Sequence, residues 1–212
     1  MKERREYVAV LAFLAAIIGI SGCSRQKEEK LTKYDTQFFE LFDTVTSVTG
    51  YARDEKTFQS YVDVFYDELK EYHQLYDIYN DYEGINNIKT INDHAGIEPV
   101  EVDDKIIQML EEAVDIYELT DGNMNVAMGS VLSIWHEYRE AGLKHPEQAQ
   151  LPPQEELEEA AKHMDIRKMV IDPEKKTVYL EDPDMSLDVG AIAKGYAAEM
   201  ASRKVEEAGL KH

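Results

Sequence analysis

The spacing of apolar and polar positions changes along the chain, and each spacing predicts an element. Val8 to Ile20 is an unbroken apolar run, shorter than the roughly 20 residues that span a bilayer. Thr44 to Ala52 is rich in β-branched residues and predicts a strand, with Arg53-Asp54-Glu55 as a turn. Phe58, Val62, Phe65, Leu69 and Tyr72 recur every three or four residues and predict a helix with one apolar stripe, N-capped by Thr57. Tyr76 to Gly96 is irregular and rich in Asn and Asp, which reads as a long functional loop or a flexible surface excursion. Asp103 or Asp104 caps a second helix with Ile106, Leu110, Ala113 or Val114, and Tyr117 inside and Gly122 just past its end.

Pro152 and Pro153 open a Glu-rich helix around Leu157 and Ala161. Lys168 to Leu180 predicts a hairpin, in which Met169–Ile171 and Thr177–Leu180 flank a turn at Asp172–Lys176. Met185 to Val189 predicts a third short strand. It feeds a glycine turn, Gly190 to Gly195, and a helix through Tyr196, Met200 and Val205. This order predicts an α+β class of mixed helices and mostly antiparallel sheet.

The apolar run gains meaning from its flanks. Lys2, Arg4 and Arg5 precede it, and Ile20-Ser21-Gly22-Cys23 follows, the order of a signal peptide. That tetrad looks like a lipobox, in which cleavage before the Cys leaves a diacylglyceryl thioether as the anchor. The chain has one Cys, which excludes a disulfide framework, and it falls at the one position a lipobox requires. An ordinary signal peptide or signal anchor with an incidental Cys is the alternative. Residues 1–22 are therefore expected to be a lipoprotein signal peptide, 23–36 a polar tether, and 37–212 the folded domain. The expected location is the extracytoplasmic face of a membrane, held by lipid on Cys23.

Charge narrows the function further. The 212 residues carry 23 Lys+Arg against 43 Asp+Glu, a formal net charge of −20. Nothing here would neutralise a phosphate backbone, so nucleic acid is excluded as a partner. The six His show neither HExxH nor an i, i+4 pair, which argues against a zinc site. Trp135, beside Ile134 and Tyr138, reads as core. The most chemically suggestive unit is the turn Gly190-Ala191-Ile192-Ala193-Lys194-Gly195, whose N–H groups and helix dipole would favour an anionic phosphate. It is neither a Walker A loop nor GxGxxG, because Lys194 precedes the second Gly and no Ser or Thr follows.

Four segments in order carry a resemblance: Leu41-Phe42-Asp43-Thr44; Leu75 to Asn80 (LYDIYN); Thr120 to Val131 (TDGNMNVAMGSV); and Ser186 to Ala197 (SLDVGAIAKGYA). Together they resemble the ApbE family, the FAD:protein FMN transferases, from Phe39 to the end of the chain. The resemblance implies an ApbE-like, T-fold-like architecture. It also implies Mg²⁺-dependent transfer of the FMN half of FAD onto a Thr or Ser hydroxyl of an exported acceptor protein, with release of AMP. By the same resemblance Phe42 touches FAD, Tyr79 stacks near the flavin or adenine, and Asn123, Met124 and Asn125 line the nucleotide. Asp188 and Lys194 match FAD-contacting positions, and Ala191 matches the residue whose backbone oxygen helps hold the metal. No catalytic side chain is assigned.

Members of that family continue beyond the equivalent of Gly209-Leu210, through a glycine-paired strand and a segment with the Asp and Thr that complete the metal site. The chain is therefore expected to be the N-terminal portion of such a domain with its C-terminal part missing. The helix after Gly195 is expected to expose apolar surface. Two other readings remain: an FAD-binding lipoprotein or FAD diphosphatase giving FMN and AMP, and a binding module without enzyme activity.

Overall fold

The computed structural model describes residues 30–210. The expected signal peptide and the expected lipidation site at Cys23 lie outside the described residues. Strand β1 (Thr32–Phe38) and strand β2 (Thr46–Ala52) form an antiparallel ribbon in register from Thr32↔Ala52 to Phe38↔Thr46. The polar tether expected over 23–36 is corrected here, because Thr32 to Thr36 belong to β1. Along β1 the alternate residues Tyr34, Thr36 and Phe38 turn inward, a period of two that a reading for net polarity misses. Tyr34 stacks on Phe58 with centroids 5.5 Å apart, and Phe38 meets Tyr66 edge-on at 5.0 Å.

Helix α1 (Glu55–Leu75) carries those partners. Its N-cap is Asp54, not Thr57: the Asp54 carboxylate accepts the Thr57 N–H at 2.7 Å, and the Thr57 hydroxyl is taken by Arg53. The Asn-rich stretch that follows is neither loop nor excursion throughout. Helix α2 (Ile88–Asp93) opens with a reciprocal capping box between Asn87 and Thr90. Asn87 is fully buried, and its amide also donates to the Gln74 and Asn80 carbonyls.

Helix α3 (Asp104–Leu119) is capped by Asp103, and Gly122 closes its end at φ 81°. Strand β3 (Val100–Glu101), which the sequence pattern did not announce, pairs with β5. Helix α4 (Gly129–Lys144) was likewise not anticipated, because its apolar residues are scattered and only Gly129 is buried. Helix α5 (Gln154–Ala160) starts after Pro153 as expected. Strands β4 (Met169–Asp172) and β5 (Thr177–Leu180) form the expected hairpin and complete an antiparallel sheet of order β3-β5-β4. Both sheets are antiparallel and no βαβ crossover joins parallel strands, so the α+β class holds.

Two expectations fail near the C-terminal end. Met185 to Val189 runs extended but joins no ladder. Its backbone is pinned instead by Asn92, whose side chain both accepts from Leu187 N–H at 2.7 Å and donates to Leu187 C=O at 3.0 Å. The Asp188 N–H goes to Val126 C=O, and Ser186 C=O accepts from Gly129 N–H. Helix α6 (Ala193–Glu207) does not expose its apolar face: Ala193, Ala197, Ala201 and Val205 are buried. Small residues at this spacing allow close approach to α1, which covers them. No described helix is long and apolar enough to cross a membrane.

Candidate functional site

The extended segment before α6, the loop after α1 and one face of α4 wall a continuous groove. Two cavities, about 510 Å³ and about 350 Å³ in volume, share Ile78, Tyr79 and Asp188. Phe42, Asp43, His73, Asp77 and Lys194 line the smaller one. Leu132, Trp135, His136 and Arg139 line the larger one. Residues far apart in sequence thus meet at one place, and four of the expected site residues, Phe42, Tyr79, Asp188 and Lys194, are among them.

Phe42 reaches the groove through a demanding turn. The Thr44 N–H closes onto Leu41 C=O at 3.3 Å, and the two central residues both lie in the left-handed region, Phe42 at φ 55° and Asp43 at φ 50°. For a residue such as Phe this conformation costs on the order of 1–3 kcal/mol and persists only where neighbours hold it. One such neighbour is His73, whose Nδ1 lies 3.3 Å from the Phe42 nitrogen and whose ring meets the Phe42 ring edge-on.

Asp77 builds the next wall. Its carboxylate accepts from the N–H groups of Tyr79 and Asn80, the Asn80 side chain and the Tyr82 hydroxyl. Burial raises its pKa most strongly as a single effect, but these four donors together outweigh it and leave the carboxyl below its ordinary value. Tyr79 is 57% exposed and lies tilted against His136, with centroids 5.4 Å apart. Its phenol is pushed up by partial burial and by the nearby Asp188 charge.

Asp188 sits where the two cavities join. One carboxylate oxygen accepts the Gly190 N–H at 2.8 Å and so shapes the turn into α6. The start of α6 has no side-chain cap, and Lys194 in its first turn is exposed, with no ion-pair partner among the described residues. A helix N-terminus with a free ammonium group suits an anion. Ala191 is exposed at the bend before this helix, between Gly190 and Ala193, which line the smaller cavity. Its carbonyl is not an acceptor in any backbone hydrogen bond of the described residues.

Asn123, Met124 and Asn125 are not brought into the groove lining. Asn123 donates to Thr120 C=O, the Met124 N–H is held by the Thr120 hydroxyl, and Asn125 caps the turn Val126–Met128 while donating to Met164 C=O. Their hydrogen-bonding groups are spent on shaping the chain that carries α4. Trp135, expected in the core, is instead 43% exposed and faces the larger cavity. Asn92, His73 and Arg139 were not singled out from sequence; the concentration of Asn in the loop stretch was the only signal for Asn92.

A second polar cluster lies away from the groove. Asp182 is 7% exposed and receives Lys168 Nζ at 2.7 Å, His163 Nδ1 at 2.9 Å and the Asp184 N–H. His163, Asp182 and Asp184 place three potential ligand atoms within 4.8 Å of one another. The Lys168 ammonium occupies one Asp182 oxygen, however, and disfavours a cation there.

Comparison with known proteins bears on the family and the fold. The model of the ApbE family matches residues 42–212. A Vibrio cholerae protein named FAD:protein FMN transferase is 24% identical over 202 residues, covering 95% of this chain and 56% of the relative. A Chlamydia pneumoniae protein of the same name is 21% identical over 183 residues, 86% of this chain and 53% of the relative. The crystal structure of the ApbE protein of Thermotoga maritima superposes with a TM-score of 0.68 at 25% identity, over 83% of this chain and 53% of that one. The flavin transferase ApbE of Vibrio cholerae does so with a TM-score of 0.68 at 19% identity, over 86% of this chain and 56% of that one. The chain spans about half the length of the curated relatives it matches. With more than half of its own length matched by the family model, the chain belongs to the ApbE family.

Proposed function

We propose that the groove holds FAD for transfer of its FMN half to a Thr or Ser hydroxyl of an exported acceptor protein, with release of AMP. The observation that carries this reading is the convergence of Phe42, Tyr79, Asp188 and Lys194 on one groove. In the reaction the acceptor oxygen forms a bond to the phosphorus of the riboflavin phosphate. The bond from that phosphorus to the bridging oxygen breaks, AMP leaves with the electron pair, and the hydroxyl proton passes to a base.

The chain's own residues position the substrate. The aromatic faces of Phe42 and Tyr79 give ring systems an apolar wall, and Lys194 with the uncapped start of α6 attracts the diphosphate. Asp188 holds the turn that aims these N–H groups. The acidic lining from Asp43, Asp77 and Asp188 repels a bare diphosphate, so a divalent cation carried with the diphosphate would offset that charge, approached by Asp43, Asp188 and the Ala191 carbonyl, since the Asp77 carboxylate is already held by four donors. The donors suit a hard ion: carboxylate oxygens and the Ala191 carbonyl are the ligand types of Mg²⁺. When bound, Mg²⁺ would neutralise charge that develops on the diphosphate oxygens. The protein is exported and held at the membrane by lipid on Cys23.

Intact-mass analysis of an acceptor domain incubated with the protein, FAD and Mg²⁺ tests the reading. A gain of one FMN, abolished by EDTA, is the expected result. Free FMN and AMP with no labelling would establish the diphosphatase instead. Absence of both FAD binding and turnover would overturn the assignment of the groove.

A further inference from the structure

We infer that His73 is a positioning residue: through a neutral Nδ1 it locks the left-handed Phe42–Asp43 turn, so that protonation of one imidazole dismantles one wall of the groove. The inference rests on the reading of the groove as the FAD site. Three observations carry it. The Phe42 N–H has no acceptor within its own turn, because that turn is closed by Thr44 N–H onto Leu41 C=O. It donates instead to His73 Nδ1 at 3.3 Å, across 31 positions in sequence. The same two residues also meet ring to ring, with centroids 5.3 Å apart and planes at 67°.

The proton arrangement of the neighbours is consistent with only one tautomer. A nitrogen that accepts carries no proton, so the hydrogen of neutral His73 sits on Nε2. Nε2 lies 3.5 Å from the Tyr82 oxygen, and Tyr82 gives its own proton to Asp77 at 2.8 Å. The Tyr82 oxygen is therefore available to accept from Nε2, and every group in the sequence Phe42, His73, Tyr82, Asp77 keeps a matched partner. An imidazolium breaks the match, because both ring nitrogens then donate and Nδ1–H faces the Phe42 N–H. The turn loses the bond that holds two residues in a strained conformation.

The charged and titratable groups around His73 come from each element at the cavity. Asp43 lies on the turn itself, Tyr76 at the end of α1, Asp77 and Tyr82 on the following loop, Asp188 on the extended segment and Lys194 on α6. Because FAD is held by the assembled turn, binding selects neutral His73. The dissociation constant is then expected to rise by about tenfold per pH unit below the histidine titration, the slope of one linked proton.

The test combines a direct and a functional readout on the whole protein with Mg²⁺. Long-range ¹H–¹⁵N NMR of the imidazoles is expected to show His73 as the Nε2–H tautomer at roughly pH 8. FAD titrations at falling pH are expected to show the one-proton slope once the imidazole is protonated. His73→Ala is expected to bind weakly at every pH, without the slope. His73→Asn, whose Oδ1 can take the Nδ1 position and accept the same N–H without titrating, is expected to recover most of the affinity and to remain flat with pH. An Nδ1–H tautomer, or a wild-type pH slope retained in His73→Asn, would overturn the role of His73. Failure of the wild-type protein to bind FAD at roughly pH 8 would overturn the groove assignment, and the tautomer measurement would still decide whether His73 locks the turn.

Discussion

At the scale of single residues, the groups that do most are those whose polar atoms are buried and fully matched. Asp182 is the clearest example. The Lys168 hydrogen bond lowers its pKa most, burial opposes it, and the Asp184 N–H and His163 add to the lowering, leaving the carboxyl at about 2. A carboxyl held below its ordinary 3.8 stabilises the fold fully above that value, and the contribution is lost as pH falls toward about 2. Thermal unfolding should therefore show a fall in Tm across that window that is smaller in Asp182→Asn, the remainder coming from other lowered carboxyls such as Asp77. The variant itself should lose about 2 kcal/mol at neutral pH, the usual scale for a hydrogen bond to a charged group. An unchanged acid limb in the variant would place the titration elsewhere. Little of this was visible in the sequence. Nothing in the order Asp182-Pro183-Asp184 names its partners, and only the fold brings His163 and Lys168 to it. By contrast Phe42, Asp188 and Lys194 were legible, because each sits in a short segment whose residue order is itself the signal.

At the scale of elements, most helices and the β4–β5 hairpin could be read from period and turn chemistry, while Met185 to Val189 could not. A β-branched or aliphatic run looks like a strand, but a strand exists only if a neighbour offers a ladder. Here Asn92 supplies one amide in place of a ladder, and Gly129 lets the α4 backbone approach so closely that an added Cβ would lie 2.5 Å from Ser186 C=O. Asn92→Ala removes both bonds to Leu187 and should cost about 2 kcal/mol in urea denaturation. Gly129→Ala should destabilise in the same direction, because carbonyl and Cβ cannot share that space. Both changes displace Asp188, so FAD titration should show weaker binding. Unaltered affinity in a folded Asn92→Ala protein would mean that Asp188 does not depend on this clamp.

At the scale of the whole molecule, the formal charge of −20 bears on the proposed attachment to a membrane. An anionic lipid surface attracts clusters of Lys and Arg and repels an acidic domain. The described residues offer no membrane-spanning helix to counter that repulsion. Under the proposed localisation, covalent lipid on Cys23 would be the device that holds the protein at the bilayer. Cys23→Ala should move it from the membrane fraction to the soluble fraction without changing the fold. Persistent membrane association of the variant would assign the anchor to another segment, such as the apolar run itself.

The sequence by itself determined the α+β class, the amphipathic helices, the hairpin, the glycine turn into the last helix and the family resemblance. All of these are encoded within windows of a few to about twenty residues, where propensity and period act. Only the tertiary structure decided that α1 covers the small-residue face of α6, that Trp135 faces a cavity, and that His73 and Asn92 hold the groove in shape. The physical reason is sequence distance. The Asn92–Leu187 clamp joins positions 95 residues apart and the His73–Phe42 bond joins positions 31 apart. No local pattern specifies which of several Asn and His side chains will find those partners; packing of the whole core does.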